Sequence, residues 1–235
     1  MPVLRNLSLK AEAGEFVCIL GASGSGKTTF LNVISGLESC EGQISFHEEG
    51  KHLPRSEVRL GRVFQEPRLL PWATIYENIE LVMAGKNLDK DRIAARVREY
   101  LELVELWEVN NYYPDQLSGG MQQRVALARA FVTEPGLLIM DEPFNSLDDA
   151  LVKKLSTDLS RLWEHSGKTV ILVTHNILEA LFLGDRLVVL DKNTGTFSKQ
   201  WVNVLPRPRD YRCPELHQHY LQFVAEIDSG RESSV

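Results

Sequence analysis

Cysteine is scarce in this chain of 235 residues. Cys18, Cys40 and Cys213 are odd in number, widely spaced and without metal-ligand pairing, which excludes a disulfide framework and fits a reducing compartment. Long apolar runs are missing as well. Phe16-Val17-Cys18-Ile19-Leu20 and Leu137-Leu138-Ile139-Met140 fall far short of the roughly 20 residues that a bilayer span needs, so no membrane crossing is expected. The amino terminus lacks the basic patch, apolar core and cleavage site of a secretion signal, and the chain is expected to stay in the cytoplasm. Positive charge is in deficit: a formal net charge of -6 argues against a general nucleic-acid binder, which would carry a basic surface to meet phosphates. Neither an internal repeat nor a low-complexity tract is present.

The length suits one large domain or two small ones, with enough interior to fold unaided. Leu4 to Lys10 and Glu15 to Leu20 read as strands separated by Gly14, the second running directly into a glycine-rich loop. Thr28 to Ser35 reads as a helix stopped by Gly36, and Gln43 to Phe46 and Leu60 to Phe64 as short strands with the turn Glu48-Glu49-Gly50-Lys51 between them. From Ile75 to Val109 the period is helical, and Asp89 or Asp91 suits the start of its clearest stretch. A helix from Gln122 to Val132, a buried-type strand Leu137 to Met140, a helix Asp149 to His165 and a strand Thr169 to Val173 follow, the alternation of a parallel α/β sheet. Arg186 to Leu190, the turn Asp191 to Gly195 and a further strand through Val204 read as a hairpin. The tail after Pro206 is polar, proline-containing and expected to end loosely ordered.

Gly21-Ala22-Ser23-Gly24-Ser25-Gly26-Lys27-Thr28 fits the pattern G-x-x-x-x-G-K-[ST]. Its glycines let backbone N–H groups curl round a phosphate while the following helix directs its positive end at it. Lys27 would neutralise β- and γ-phosphates and the Thr28 hydroxyl would coordinate magnesium. A plain glycine loop before a helix is the alternative, and the required order of strand, loop and helix weighs against it. The second carboxylate that magnesium needs should end a buried strand, as Asp141 does. Glu142, next in the chain, would point to the other side of the pleat and polarise an attacking water, while Asp141 reaches the metal through its hydration shell. At Leu117-Ser118-Gly119-Gly120-Met121-Gln122-Gln123 a second glycine turn precedes a helix. It reads either as a cap by Ser118 or as a second anion cradle serving the nucleotide of another copy in a head-to-tail dimer.

With these motifs in order, the chain resembles the ABC transporter ATPases over nearly its whole length. The phosphate loop, Gln65 after a strand, the signature Leu117 to Gln123, Leu137 to Glu142, the Ser146-Leu147-Asp148 turn and His175 after Val173-Thr174 match the family's sequence of motifs. The resemblance implies an α/β P-loop NTPase core with a parallel sheet, a small antiparallel β part and an α-helical insert at about 68–118, all one ABC ATPase domain over 1–235 with a C-terminal tail at 206–235. It implies ATP and Mg2+ as ligands, with Gly21, Ala22, Ser23, Gly24, Ser25, Gly26, Lys27, Thr28 and Thr29 holding ATP. Thr28, Gln65 and Asp141 would serve the metal, Glu142 as general base, Gln65 as a sensor of metal and water, and His175 as a contact to the γ-phosphate. Ser118, Gly119, Gly120 and Gln122 would bind the partner subunit's ATP, and Asp148 would lie at the dimer seam.

Val63-Phe64-Gln65-Glu66-Pro67-Arg68-Leu69-Leu70-Pro71-Trp72 further resembles the importers of nitrate, sulfonates, taurine and related small organic compounds, in which this loop packs on a membrane subunit. Trp72 fits either that interface or a core anchor within the helical insert. Implied partners are a second copy of the chain, integral membrane permease subunits and a periplasmic or lipid-anchored substrate-binding protein, with no nucleic acid, at the cytoplasmic face of the inner membrane. The competing readings are an exporter ATPase and a soluble ABC ATPase acting on ribosomes or DNA. The latter usually has two cassettes or coiled-coil arms, and neither is seen in this sequence. Members of the family normally have an aromatic residue upstream of Pro2-Val3-Leu4 that stacks on adenine. The sequence begins after that point, so ATP affinity is expected to be about tenfold weaker than in a form carrying the segment. Asn145-Ser146-Leu147-Asp148-Asp149 departs from the usual pattern at Ser146 while keeping Asp148.

Overall fold

The computed structural model describes residues 3–48, 50–85, 88–145 and 147–232. In chain order its regular elements are β1 (Phe16–Leu20), α1 (Lys27–Ser35), β2 (Phe46–Glu48), β3 (Lys51–Leu53), β4 (Leu60–Val63), α2 (Ile75–Glu80), α3 (Lys90–Leu103), α4 (Gly119–Phe131), β5 (Leu137–Asp141), α5 (Asp149–Ser166), β6 (Thr169–Thr174), α6 (Ile177–Leu183), β7 (Arg186–Leu190), β8 (Phe197–Val202) and α7 (Pro214–Glu232). They group into two compact units, one of Met1–Ser39 with Ile171–Val235 and one of Cys40–Val170. This is the expected α/β architecture. No described helix is long and apolar enough to cross a membrane.

The first unit is built on strands in the order β6-β1-β7-β8. β1 lies parallel to β7, and β8 returns antiparallel beside β7. All five residues of β1 are buried. A strand covered on both faces reads as a continuous apolar run rather than an alternation, which is why Phe16 to Leu20 was legible. The hairpin between β7 and β8 is tied by the Asp191 carboxylate, which accepts from the backbone N–H of Asn193 and Thr194. Gly36, in the left-handed region at φ 75°, ends α1 as expected.

Four departures from the sequence reading occur in this unit, each with a local cause. Residues 4–10 form no strand; Arg5 N–H donates to Gly195 O, and a short alternating stretch without a ladder does not hold as a strand. The last strand stops at Val202 instead of running through Val204, because buried Asn203 turns inward and donates to Leu181 O and Gly184 O. Those carbonyls end α6, a helix missed in the sequence because its seven residues are almost uniformly apolar and show no face. The polar tail forms α7, seated by buried Leu216 and Phe223; the Phe223 ring meets Trp201 edge to face at 5.1 Å. Burial of two such side chains is worth roughly 1.5–3 kcal/mol each, enough to order a helix with little propensity signal.

The second unit pairs β4 with β5 in parallel and holds the β2–β3 hairpin as a separate antiparallel sheet. β2 begins at Phe46, where the expected strand Gln43 to Phe46 ends; Glu49, in the expected turn, lies outside the described residues. The helices α2 to α5 pack on one another through Ile75, Ile79, Val97, Leu101, Val125, Leu127, Leu155 and Leu159, all fully or almost fully buried. Their starts are capped by side chains, that of α3 at Asp89 as the sequence indicated. Thr74 and Glu77 form a reciprocal capping box on α2, and Asp89 accepts from Arg92 N–H at the start of α3.

Candidate functional site

In the first unit β1 delivers the chain to Gly21, where a Cβ would lie 2.5 Å from Ser25 Oγ and 3.0 Å from Leu190 O. Only glycine fits. Gly24 and Gly26 hold positive φ of 76° and 99°, bending the loop so that it closes on the start of α1. Gly26 caps that helix and, lacking a side chain, supplies no side-chain acceptor to its first turn. The Lys27 ammonium folds back over the loop and donates to Gly21 O (2.7 Å) and Ala22 O (3.1 Å), leaving 5 % of the residue exposed. Ser25 is buried, and its Oγ has no hydrogen-bond partner among the described residues. Ala22, Ser23 and Thr28 are exposed and Thr29 is half-buried. This is an anion cradle of backbone N–H groups with one cation held in reserve.

A second cation was not foreseen. Lys192 in the β7–β8 turn places Cε and Nζ each 3.7 Å from where a Cβ on Gly24 would sit. His175 follows β6 and is exposed. The start of the next helix is fixed around it: Asn176 caps α6, and the Thr174 hydroxyl donates to the buried Glu179 carboxylate at 2.6 Å. Burial pushes the Cys18 thiol in β1 well up, with the Glu179 carboxylate adding to the shift, which marks it as an inert core thiol.

In the second unit the register Val63↔Met140 brings two expected site segments off the same end of a parallel pair. Gln65 follows β4 by two residues, and Asp141 ends β5 with Glu142 next to it. Arg62 Nη2 lies 3.5 Å from Asp141 Oδ2, both side chains being mostly buried. Glu142 departs from the expected pleat alternation. Its φ of 44° puts it in the left-handed region, outside the strand, so the turn and not the pleat sets its direction. For a residue with a Cβ this costs about 1–2 kcal/mol.

The Gln65 loop is anchored on both sides. The guanidinium carbons of Arg62 and Arg68 lie 4.8 Å and 3.9 Å from the Phe64 ring centroid. Arg129 of α4 donates to Pro67 O (2.8 Å) and Arg68 O (3.0 Å). Buried Asn78 accepts from Leu70 N–H and donates to Leu70 O, Ala73 O and Thr74 O. Gln65 and Glu66 are exposed between these anchors. Trp72 is 74 % exposed, so it is no core anchor, and Leu81, Val82, Tyr112 and Tyr113 of the same unit are exposed as well.

Ser118 caps α4, accepting from Met121 N–H, as one reading of the sequence had it. Gly119 faces open space within 4 Å, whereas a Cβ on Gly120 would strike Leu151 Cδ1 at 2.6 Å. The two glycines therefore differ: Gly120 lets α5 approach, and Gly119 leaves open space beside the Ser118 cap. Gln122 directs its amide nitrogen to Pro114 O and Leu117 O, which fixes the turn before the helix. Asp148 caps α5 through Leu151 N–H; Ser146 lies outside the described residues. Among the described residues no group of three or more His, Cys, Asp or Glu is gathered to hold a metal. The hydroxyl, amide and carboxylate oxygens of Thr28, Gln65 and Asp141 are the hard donors that Mg2+ takes, and Mg2+ draws only one or two carboxylates from protein and completes its shell with phosphate and water.

Residues 4–145 match the family described as ABC transporter. The aliphatic sulfonates import ATP-binding protein SsuB of Bacillus cereus is 40% identical over 229 residues, covering 97% of this chain and 89% of that protein. The taurine import ATP-binding protein TauB of Pelagibacter ubique is 39% identical, covering 84% of this chain and 74% of its own. Among solved structures, a dimeric ATP-binding cassette in a post-hydrolysis state with ADP and Pi superposes with a TM-score of 0.70 at 34% identity, over 87% of this chain and 92% of that one.

Proposed function

The chain belongs to the ABC transporter family as an ATP-binding, ATP-hydrolysing member, and from that premise we propose that it drives import of a small sulfonate, of the aliphatic sulfonate or taurine type. The observation that carries this reading is the likeness to sulfonate-import proteins over nearly the whole chain, joined to an exposed Trp72 directly after the Gln65 loop.

ATP lies with its phosphates in the loop Gly21 to Thr28, with Thr29 in the same turn. Lys27 exchanges the carbonyls of Gly21 and Ala22 for the β- and γ-phosphate oxygens. Thr28, Gln65 and Asp141 would hold Mg2+, which when bound would neutralise charge on the phosphates. Glu142 polarises the water that attacks the γ-phosphorus, Gln65 orients that water, and His175 contacts the γ-phosphate. The strained backbone at Glu142 supports this role, since positive φ at a residue with a Cβ collects at functional sites.

Two copies close head to tail. Ser118, Gly119 and Gly120 present the start of α4 to the opposing copy's nucleotide, with Gln122 holding the turn in shape, and Asp148 stands at the seam. ATP favours closure because it binds the closed pair more tightly than the open one. Trp72, Leu81, Val82, Tyr112 and Tyr113 supply an apolar face for the membrane permease subunits, at the cytoplasmic side of the inner membrane. A substrate-binding protein outside the membrane delivers the sulfonate. The exporter and ribosome or DNA readings draw no support from these relatives.

The test is reconstitution with the permease and binding protein in vesicles. Taurine or an alkanesulfonate on the binding-protein side should raise ATPase activity several-fold while nitrate leaves it unchanged. Stimulation by nitrate alone, or by no oxyanion, contradicts the sulfonate assignment.

A further inference from the structure

The helix that begins at the signature turn ends on the Gln65 loop. α4 starts after Ser118 and carries Arg129 ten residues beyond Gly119, about 15 Å along a rigid rod at 1.5 Å per residue. There the two arms of one guanidinium hold two successive carbonyls, Pro67 O at 2.8 Å and Arg68 O at 3.0 Å. Burial pushes the Arg129 pKa down, which reports how far the group is withdrawn from water to make this contact. The held segment is strained: Arg68 has φ 47° and its own guanidinium lies over the Phe64 ring. Phe64 also carries the Arg62 guanidinium, whose Nη2 lies 3.5 Å from Asp141 Oδ2. A continuous set of contacts thus runs from the α4 rod through Arg129, the Pro67-Arg68 backbone, Phe64 and Arg62 to Asp141.

Under the dimer reading, on which this inference rests, Ser118 grips the opposing copy's nucleotide whereas Gln65 and Asp141 serve this copy's own. We propose that Arg129 is a positioning residue that couples the two ATP sites of the dimer, by making the Gln65 loop move with the signature helix. Occupation of one site shifts α4, and the fork on Pro67 and Arg68 carries that shift to Gln65 of the other. The coupling is a free energy shared between sites, so it reads out as cooperativity rather than as loss of chemistry. The planar fork fixes the directions of both bonds together, whereas a lysine ammonium on its flexible stem would hold the two carbonyls without that fixed geometry.

The test is ATP hydrolysis against ATP concentration for the full-chain wild type, Arg129→Lys and Arg129→Met, with circular dichroism and thermal unfolding of each. Wild type should show a Hill coefficient approaching two. Arg129→Met should fall to about one, with half-saturation raised several-fold, and Arg129→Lys should lie between. If Arg129→Met fails to fold, Arg129→Lys and Arg129→Gln, which keep donors, decide the matter by the same coefficient. A non-cooperative wild type, or folded variants with an unchanged coefficient, overturns the coupling role while leaving the ATPase reading intact. A wild type that neither binds nor hydrolyses ATP contradicts that reading itself.

Discussion

Lys192 illustrates what one residue adds when the fold, not the motif, brings it to a site. Its ammonium stands beside Gly24 because the Asp191 turn fixes the hairpin that carries it. Lys192→Ala is expected to weaken ATP binding about fivefold, the order of one exposed unit charge near a phosphate, and to leave adenosine binding unchanged. Titration calorimetry at low and high salt checks this: the gap between wild type and variant should shrink as salt rises. At this scale the phosphate loop was legible because each of its constraints is local. Gly21 has no room for a Cβ, and Gly24 and Gly26 need positive φ. Lys192 and Arg129 were not legible, because their partners are distant in sequence; the carbonyls held by Arg129 lie 61 and 62 residues away. The direction of Glu142 was misjudged in sequence, since nothing in the residues after Asp141 announces a left-handed turn.

At the scale of elements, the second unit is held by a buried ion pair between helices. Arg124 Nε of α4 lies 2.8 Å from Asp158 Oδ2 of α5, with side-chain exposures of 7% and 3%. Arg124 also donates to Val104 O, so one guanidinium joins α4, α5 and the end of α3. Asp158→Ala should lower the unfolding free energy by about 3–5 kcal/mol at neutral pH, because it strands a buried charge, whereas Arg124→Met with Asp158→Leu should lose less than either single change. Urea unfolding of the three variants checks the order. Burial pushes the Asp158 carboxyl up, against the pull of Arg124 and with Glu105 adding to the rise. The folded chain therefore holds that proton more tightly than the unfolded one. This contribution to stability is full below the unfolded carboxylate pKa and lost as pH rises through the folded value, a slope that the double variant should lack. Elements with a cap or a covered face were read well, as α3 from Asp89 and β5 from Leu137 show. α6 and α7 were not, since one is apolar all round and the other depends on Leu216 and Phe223 finding a core laid down by distant strands.

For the whole molecule, the central claim is that one chain holds half of each working ATP site. Under the proposed function, Gly21 to Thr28 and Glu142 would serve its own nucleotide, and the turn before α4 at Ser118 and Gly119 its neighbour's. On that proposal, closure around ATP would give the permease a stroke and hydrolysis the return. Sequence alone could suggest this from two glycine turns before two helices. The structure adds that Gly119 stands in open space while Gly120 is taken up by packing on Leu151. The most direct measurement is sedimentation of Glu142→Gln, which keeps the shape of the side chain and removes the base. With saturating ATP and Mg2+ it should run as a dimer that turns over very slowly, and as a monomer without nucleotide. A monomer under both conditions would contradict the account.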